Sequence, residues 1–379
     1  MRLKMVLFVT LFTGILLSCQ GEGANAATAP SPTPITVANV VRLKTLQSIT
    51  LENFPDETSG NLPIAIAFDP RLKRAAGVID AQTVRIWDLA TGKAIIDLKN
   101  PPADKPAPDS VEGDLSGALA FSPDGTRLAT GLLSYKGYKT ILWDVATGHL
   151  LTVLNDSAVV QQDPGIPYSV SSVLFTPDSS SVVICERLHD NVTTWLWTIQ
   201  TRQIVSIGGE TDELMSMNQK MLALPTYHLY NAEGTPSDQN TSVQVFDLQP
   251  QTMVHEITLE TDKQVFALAI SPDGSWLAEE DIAGVLVWSV ITGQRLASLS
   301  DVPDLTNAQN QLVDMTFGPD NRLLFANDNG KLHFWDANSG KTLMVSNSAS
   351  IDDAALNQDG TQLASLRQKD RTVDLWGIP

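Results

Sequence analysis

The 379-residue chain is 43% apolar, so it has the material for a real core and is not disordered by composition. Its formal charge of −18 argues against a nucleic-acid binder, because phosphate contact needs clustered Lys and Arg. Cys19 and Cys185 are the only cysteines, so no disulfide framework exists to hold the fold.

The first element is a short apolar run. Arg2 and Lys4 precede MVLFVTLFTGILL, an uncharged stretch shorter than the roughly 20 residues a membrane-spanning helix needs. A basic start and a short apolar core fit a secretory signal. Leu16-Leu17-Ser18-Cys19 stands directly behind it. That quartet resembles the lipobox of bacterial lipoproteins, which implies cleavage before Cys19 and diacylation of its sulfur. Residues 1–18 are then a lipoprotein signal peptide, and 19–39 a lipidated cysteine with a flexible linker. The segment QGEGANAATAPSPTP, small and Pro-punctuated, suits a tether. The resemblance implies a lipid-anchored, extracytoplasmic protein of the cell envelope, with inner and outer membrane both open. Loss of residues 1–18 removes two cations and no acid, which takes the formal charge to −20. Anionic headgroups would repel such a body, so membrane contact is expected through the acyl chains on Cys19.

Past residue 60 one phrase recurs seven times, over 40–379. An apolar strand ends in Phe or a substitute, a Pro-Asp-Gly turn reverses the chain, and a second strand and turn follow. The third strand alternates up to an aromatic residue, and a Thr-Gly turn leads into a fourth strand. The aligned aromatics are Trp87, Trp143, Trp197, Phe246, Trp288, Trp335 and Trp376, spaced 41 to 56 apart. Such a sheet cannot bury both faces alone, so the copies must stack. Trp-Asp is intact at Trp87-Asp88, Trp143-Asp144 and Trp335-Asp336. These units resemble the WD-repeat β-propeller family, which implies an all-β fold of seven four-stranded antiparallel blades. The Gly-His pair that often opens the family's repeats is missing from all seven, so its His-centred hydrogen-bond network is not carried over. The last copy stops after its third strand, and VVRLKTLQSITLE from Val40 is a strand without partners. The N-terminal strand is therefore expected to complete the last blade and close the ring.

Loop lengths break the regularity on one side only. First and third turns lie at one end of an antiparallel blade, and they stay short. Second turns and crossings lie at the other end, which receives every long insertion: 99–117, 133–139, 155–169, 227–242 and 300–311. All five tyrosines, Tyr135, Tyr138, Tyr168, Tyr227 and Tyr230, sit in or beside these insertions, with His228 between the last two. Tyrosine combines large contact area with a polar tip, so these six residues are the candidate partner-binding set. Aromatics that pack the interiors of long loops would leave the same trace.

No phosphate-cradling Gly loop and no metal-ligand spacing occurs, so no catalytic residue, cofactor or metal is assigned. Cys185 falls in a second strand, where a buried inert thiol is expected. Glu279-Glu280-Asp281 and Asp352-Asp353 are expected as solvated turn residues near strand ends. WD-repeat proteins are mostly non-enzymatic platforms, so the resemblance implies a monomeric binding or scaffolding module for protein partners. An envelope-assembly role, and a hydrolase or lyase that uses the central channel, are the alternatives carried forward.

Overall fold

The computed structural model describes residues 32–55, 65–100, 114–134, 139–155, 168–188, 191–207, 215–218, 220–226, 242–248, 252–259, 265–281, 284–300, 313–328, 330–346 and 350–379. The signal segment, Cys19 and most of the insertions lie outside them. Thr33 to Pro379 form one compact unit. Among the described residues it is built of β-strands, with one 3₁₀ turn at Val40–Arg42 and no α-helix.

The sequence copies become units I to VII in chain order: copies I to VI each supply four antiparallel strands, and copy VII supplies three, Asp353–Leu356, Gln362–Arg367 and Thr372–Gly377. In unit I the strands are Ile66–Phe68, Arg74–Asp80, Thr83–Asp88 and Ala94–Lys99, paired in that order. The alternation that identifies the third strand works as expected: Val84 and Ile86 are buried, while Arg85 reaches outward to Asp97 on the fourth strand at 2.6 Å.

The turns are held by their aspartates as well as by Pro and Gly. In Ser122-Pro-Asp124-Gly-Thr126, Asp124 Oδ1 accepts the Ser122 hydroxyl at 2.6 Å, the Thr126 N–H at 2.9 Å and the Thr126 hydroxyl at 2.8 Å. Asp178, Asp273 and Asp359 accept equivalent bonds in units III, V and VII. The aspartate of each Trp-Asp pair does the same in the third turn. Asp88 Oδ1 accepts the Thr91 N–H and hydroxyl, both at 2.8 Å, and Asp144 accepts those of Thr147. The repeat keeps these acids because each satisfies backbone donors that a tight turn leaves unpaired.

Packing links neighbours in sequence. Ile86 and Leu98 of unit I share a buried cluster with Leu128 and Ile141 of unit II. The same relation joins II to III, III to IV, IV to V, V to VI and VI to VII. It also joins the last unit to the first: Ala364 and Val373 pack with Ala75 and the fully buried Trp87. Short turns touch in the same succession. Arg74 Nη2 donates to Gly125 O at 2.8 Å, Asn218 Nδ2 to Ser271 O at 2.8 Å, and Asp273 N–H to Asn321 Oδ1 at 2.9 Å. Gln358 N–H reaches from the last unit to Pro70 O of the first at 2.7 Å. Two glycines of the third turns are fixed by a second contact, with the end of a neighbouring unit's fourth strand. A Cβ on Gly92 would lie 2.1 Å from Thr50 O, and one on Gly340 2.3 Å from Ser298 O, both at positive φ.

The N-terminal strand, Lys44–Thr50, pairs antiparallel with Thr372–Gly377, the third strand of unit VII, as expected. Ser48 Oγ donates to Asp374 at 2.5 Å, and Arg367 Nε donates to the other oxygen of Asp374 at 2.9 Å. Residues 33–39, expected as the end of the linker, belong to the compact unit. Ile35 is buried in the cluster between units VI and VII, its N–H bonded to Gly360 O at 2.8 Å. Three apolar positions, Ile35, Val40 and Leu43, hold this segment where composition alone suggested a free chain.

Units II and III depart from separate four-stranded sheets. Their strands join into one eight-stranded sheet through Arg127–Ser134 of unit II and Tyr168–Phe175 of unit III. The insertion at 133–139 delays the third strand of unit II until Lys139, which leaves Leu133 and Ser134 open on that side. Ser169 and Tyr168 take the vacant positions. Gly131 permits the approach, since a Cβ there would lie 2.7 Å from Val170 Cγ1.

On the outer edges the ladder slips by one residue beside the aromatic, at Trp87, Trp143, Phe246 and Trp288. The extra residues are Ile95, Leu151, Val254 and Leu296, all exposed. A bulge there spoils a flat edge as a template for pairing between molecules.

Candidate functional site

The insertion-bearing end is built from the exits of the second strands, the second turns and the crossings. Tyr135, Tyr138, Tyr227, Tyr230 and His228 lie outside the described residues. Tyr168 is described in its backbone only, in register with Ser134. The splice between units II and III therefore sets the backbone of Tyr168 beside the residue that precedes Tyr135. Tyr168 thus becomes a sheet neighbour of Ser134, which lies 34 residues earlier in sequence.

Below these loops the second strands carry polar groups into the core. The indole N–H of Trp143 donates to Thr130 Oγ1 at 3.0 Å, that of Trp376 to Ser365 Oγ at 2.8 Å, and that of Trp288 to Glu279 Oε1 at 3.3 Å. In each case the acceptor stands two residues after the one that faces the tryptophan across the ladder. Trp87 and Trp335 donate instead to the backbone oxygens of Glu52 and Ser300. These bonds supply the buried donor with a partner where the repeats lack the Gly-His pair. The signal was present in the sequence as a polar residue two places after the leucine that faces the tryptophan, in LATGL, LAEED and LASLR.

Glu279, Glu280 and Asp281 correct an expectation. They are at most 1% exposed, at the end of the buried strand Trp276–Asp281, and are not solvated turn residues. Glu279 and Glu280 point to opposite faces of the sheet, because side chains alternate along a strand. Asp352 accepts the Gln368 N–H at 2.6 Å and so ties the crossing into unit VII to its second turn.

One histidine at this end is buried. His333 Nε2 lies 2.7 Å from Asp328 Oδ2, with its ring stacked on Trp335 at 5.5 Å. Asp328 Oδ1 accepts the Lys331 N–H at 2.6 Å, so one carboxylate holds both the turn and the imidazole. Among the described residues, His333 Nδ1 and both amide atoms of Asn327 are buried without a hydrogen-bond partner. In unit VII, Arg367 bridges Asp374 and Asp370, and its hydrogen bond to Asp374 pushes the guanidinium further toward the charged form.

Among the described residues no group of three or more His, Cys, Asp or Glu is placed to hold a metal ion. Cys185 is buried, with its Sγ 3.6 Å from Thr194 Oγ1, as its strand position led one to expect. No helix among the described residues is long and apolar enough to cross a membrane.

The two ends differ in how their carboxylates are used. At the short-turn end burial alone would raise Asp124, but bonds from Ser122 and Thr126 outweigh it and hold the carboxyl below its ordinary range. Asp178 is lowered first by the Thr176 hydroxyl, and Asp359 by that of Thr361. These acids are fully engaged within their turns.

No family model matches this sequence, and no curated protein is similar enough to match it.

Proposed function

We propose that the chain is a lipid-anchored, seven-bladed β-propeller of the WD-repeat type that captures a protein partner on its insertion-bearing end. Units I to VII are the blades, and the strand Lys44–Thr50 closes the ring. Support for closure comes from the core that unit VII shares with unit I and from the Gln358–Pro70 bond. The observation that carries the function is the segregation of loop length. The short-turn end is consumed by bonds within and between blades, while five insertions and all the tyrosines collect at the other. Turns that interlock by hydrogen bonds cannot vary without cost to the ring, whereas loops at the far end are free to specialise.

Acylated Cys19 retains the protein at a membrane surface outside the cytoplasm, in the envelope. The tyrosines at 135, 138, 168, 227 and 230, with His228, form the docking surface on blades II to IV. Large, stiff side chains with a polar tip anchor a protein partner at small entropic cost.

Replacing Tyr135, Tyr138, Tyr227 and Tyr230 together by Ser tests this. Capture of the partner in the native membrane should be lost, with the thermal midpoint unchanged. Full capture by that variant overturns the assignment.

A further inference from the structure

The N-terminal segment holds unit VII from two sides. Ile35, Val40 and Leu43 are buried in the cluster between units VI and VII, with Phe325, Phe334 and Trp376. The strand Lys44–Thr50 then follows the outer edge of unit VII, and Ile49, Leu51 and Phe54 enter the cluster between units VII and I. Completion of the last blade needs only the strand. Residues 33–43 add nothing to that sheet, yet they are built in as firmly as a core element.

Unit VI departs from the repeat where these residues lie. Six first turns open on a side chain that bonds within its own turn: Asp69, Ser122, Thr176, Asn218, Ser271 and Asn357. Unit VI opens on Gly318, where a Cβ would lie 3.0 Å from Leu323 Cβ and 3.4 Å from Ile35 O. Asp320 closes the turn with one oxygen, Oδ1, which accepts the Leu323 N–H at 2.8 Å. Its other oxygen accepts the Val37 N–H at 2.8 Å. Ile35 N–H donates to Gly360 O, in the first turn of unit VII, at 2.8 Å. Asn39 folds the segment on itself, with Nδ2 donating to Pro34 O at 2.8 Å and Oδ1 accepting the Thr36 N–H at 2.9 Å. Arg42 Nη2 reaches the last residue, Pro379 O, at 3.2 Å.

We propose that residues 33–43 are a clasp across units VI and VII that opens as a step of its own, before the strand Lys44–Thr50 leaves unit VII. The proposal rests on the lipoprotein assignment only for the source of a pull. Clasp and strand lie in series along the chain, so a pull on whatever precedes Thr33 reaches Ile35 first. Among the described residues the clasp holds the blades by two backbone N–H groups and Arg42, whereas the strand pairs along its length with Thr372–Gly377. A segment with fewer bonds opens locally at lower cost than the sheet beside it. The clasp thus yields slack under load while the ring stays closed.

Native-state hydrogen exchange on the full chain reads the two steps. The Ile35 and Val37 N–H groups should exchange at least about tenfold faster than that of Leu51, which donates to Arg371 O at 2.7 Å. In Ile35→Ser/Val40→Ser the Val37 rate should rise further, with the Leu51 rate unchanged. Optical tweezers add the load. Handles go on Cys19 of the unacylated chain and on Gln82→Cys, since Cys185 is buried. The first event should lengthen the chain by up to roughly 4 nm, for residues 33–43 at about 3.6 Å each, and its force should fall in the double variant.

Equal exchange at Ile35, Val37 and Leu51 overturns the proposal. So does a first event of about 6 nm or more, in which clasp and strand leave together, or a first event whose force the double variant leaves unchanged. An N-terminal peptide whose mass shows no acyl chain would defeat the lipoprotein assignment alone, and the exchange rates would still decide the clasp.

Discussion

The short-turn end and the insertion-bearing end grow from the same repeat and have opposite chemistry. At the first, Ser, Thr and Asp side chains close every bond locally, glycines admit a neighbour's carbonyl, and successive units interlock. At the second, strands end in buried polar groups such as Glu279, Asn327 and His333, and the chain leaves in loops of unequal length. The contrast teaches that a stacked array keeps its regularity where each copy touches the next. Divergence is confined to the ends of strands that neighbours do not need.

The largest effect expected from this contrast is on closure. Deleting residues 40–52 removes the outer strand of the last unit and the Ser48–Asp374 bond, and exposes the core that Ile49 and Leu51 share with units VII and I. Circular dichroism should show loss of cooperative unfolding. A thermal midpoint within a few degrees of the parent would break the account of closure.

Next comes the interlock itself. Gly92→Ala or Gly340→Ala places a Cβ against a backbone carbonyl and forces a non-glycine residue to positive φ. Each should cost about 2–4 kcal/mol in denaturant unfolding, since the turn, the neighbour or both must move. Gly284→Ala is the contrast, because its Cβ would meet nothing within 4 Å. Only its φ of 138° is strained, so a smaller cost is expected.

The turn acids come third. Asp124→Ala leaves the Thr126 N–H and two hydroxyls without their acceptor, and should cost about 1–2 kcal/mol. Asp124, Asp178, Asp273 and Asp359 are all lowered in the fold. A carboxyl with a depressed folded pKa binds protons more readily when unfolded. Its contribution is therefore fully present above the unfolded value of about 3.9, and is lost as pH falls through the folded value. Stability should decline below about pH 4, and the decline should flatten in a variant with all four replaced by Asn. An unchanged acid profile in that variant would show that the turns do not use their charge.

The smallest effect on stability belongs to the far end. Replacing 227–241 by a two-residue turn should shift stability by less than about 1 kcal/mol, because loop-closure entropy depends only weakly on length. Partner capture should fall nonetheless.

Much of the fold was legible because its cause is local and periodic. The alternation in Val84-Arg85-Ile86-Trp87, the Pro-Asp-Gly turns and the missing fourth strand of the last copy each report a sheet in sequence order. The splice of units II and III was not legible, since it depends on Gly131 meeting Val170, a contact between copies. The burial of Glu279 to Asp281 was missed for a related reason. Three acids in a row read as solvent-facing, but neighbouring units cover both faces of their strand. The docking at residues 33–39 was hidden because Ile35 and Val37 are single apolar residues in a Pro- and Thr-rich stretch. As for the site, the placement of the insertions at one end follows from antiparallel topology alone. The pairing of Tyr168 with Ser134 needed the contact between units.

The division of labour between the two ends is tested most directly by photo-crosslinking in the native membrane. A photoreactive residue at Tyr135 or Tyr230 should give one strong crosslinked species, and the same residue at Thr91 or Thr126 should give no protein adduct of that mass. Equal crosslinking from both ends, or a partner captured from Thr91 alone, would contradict the account.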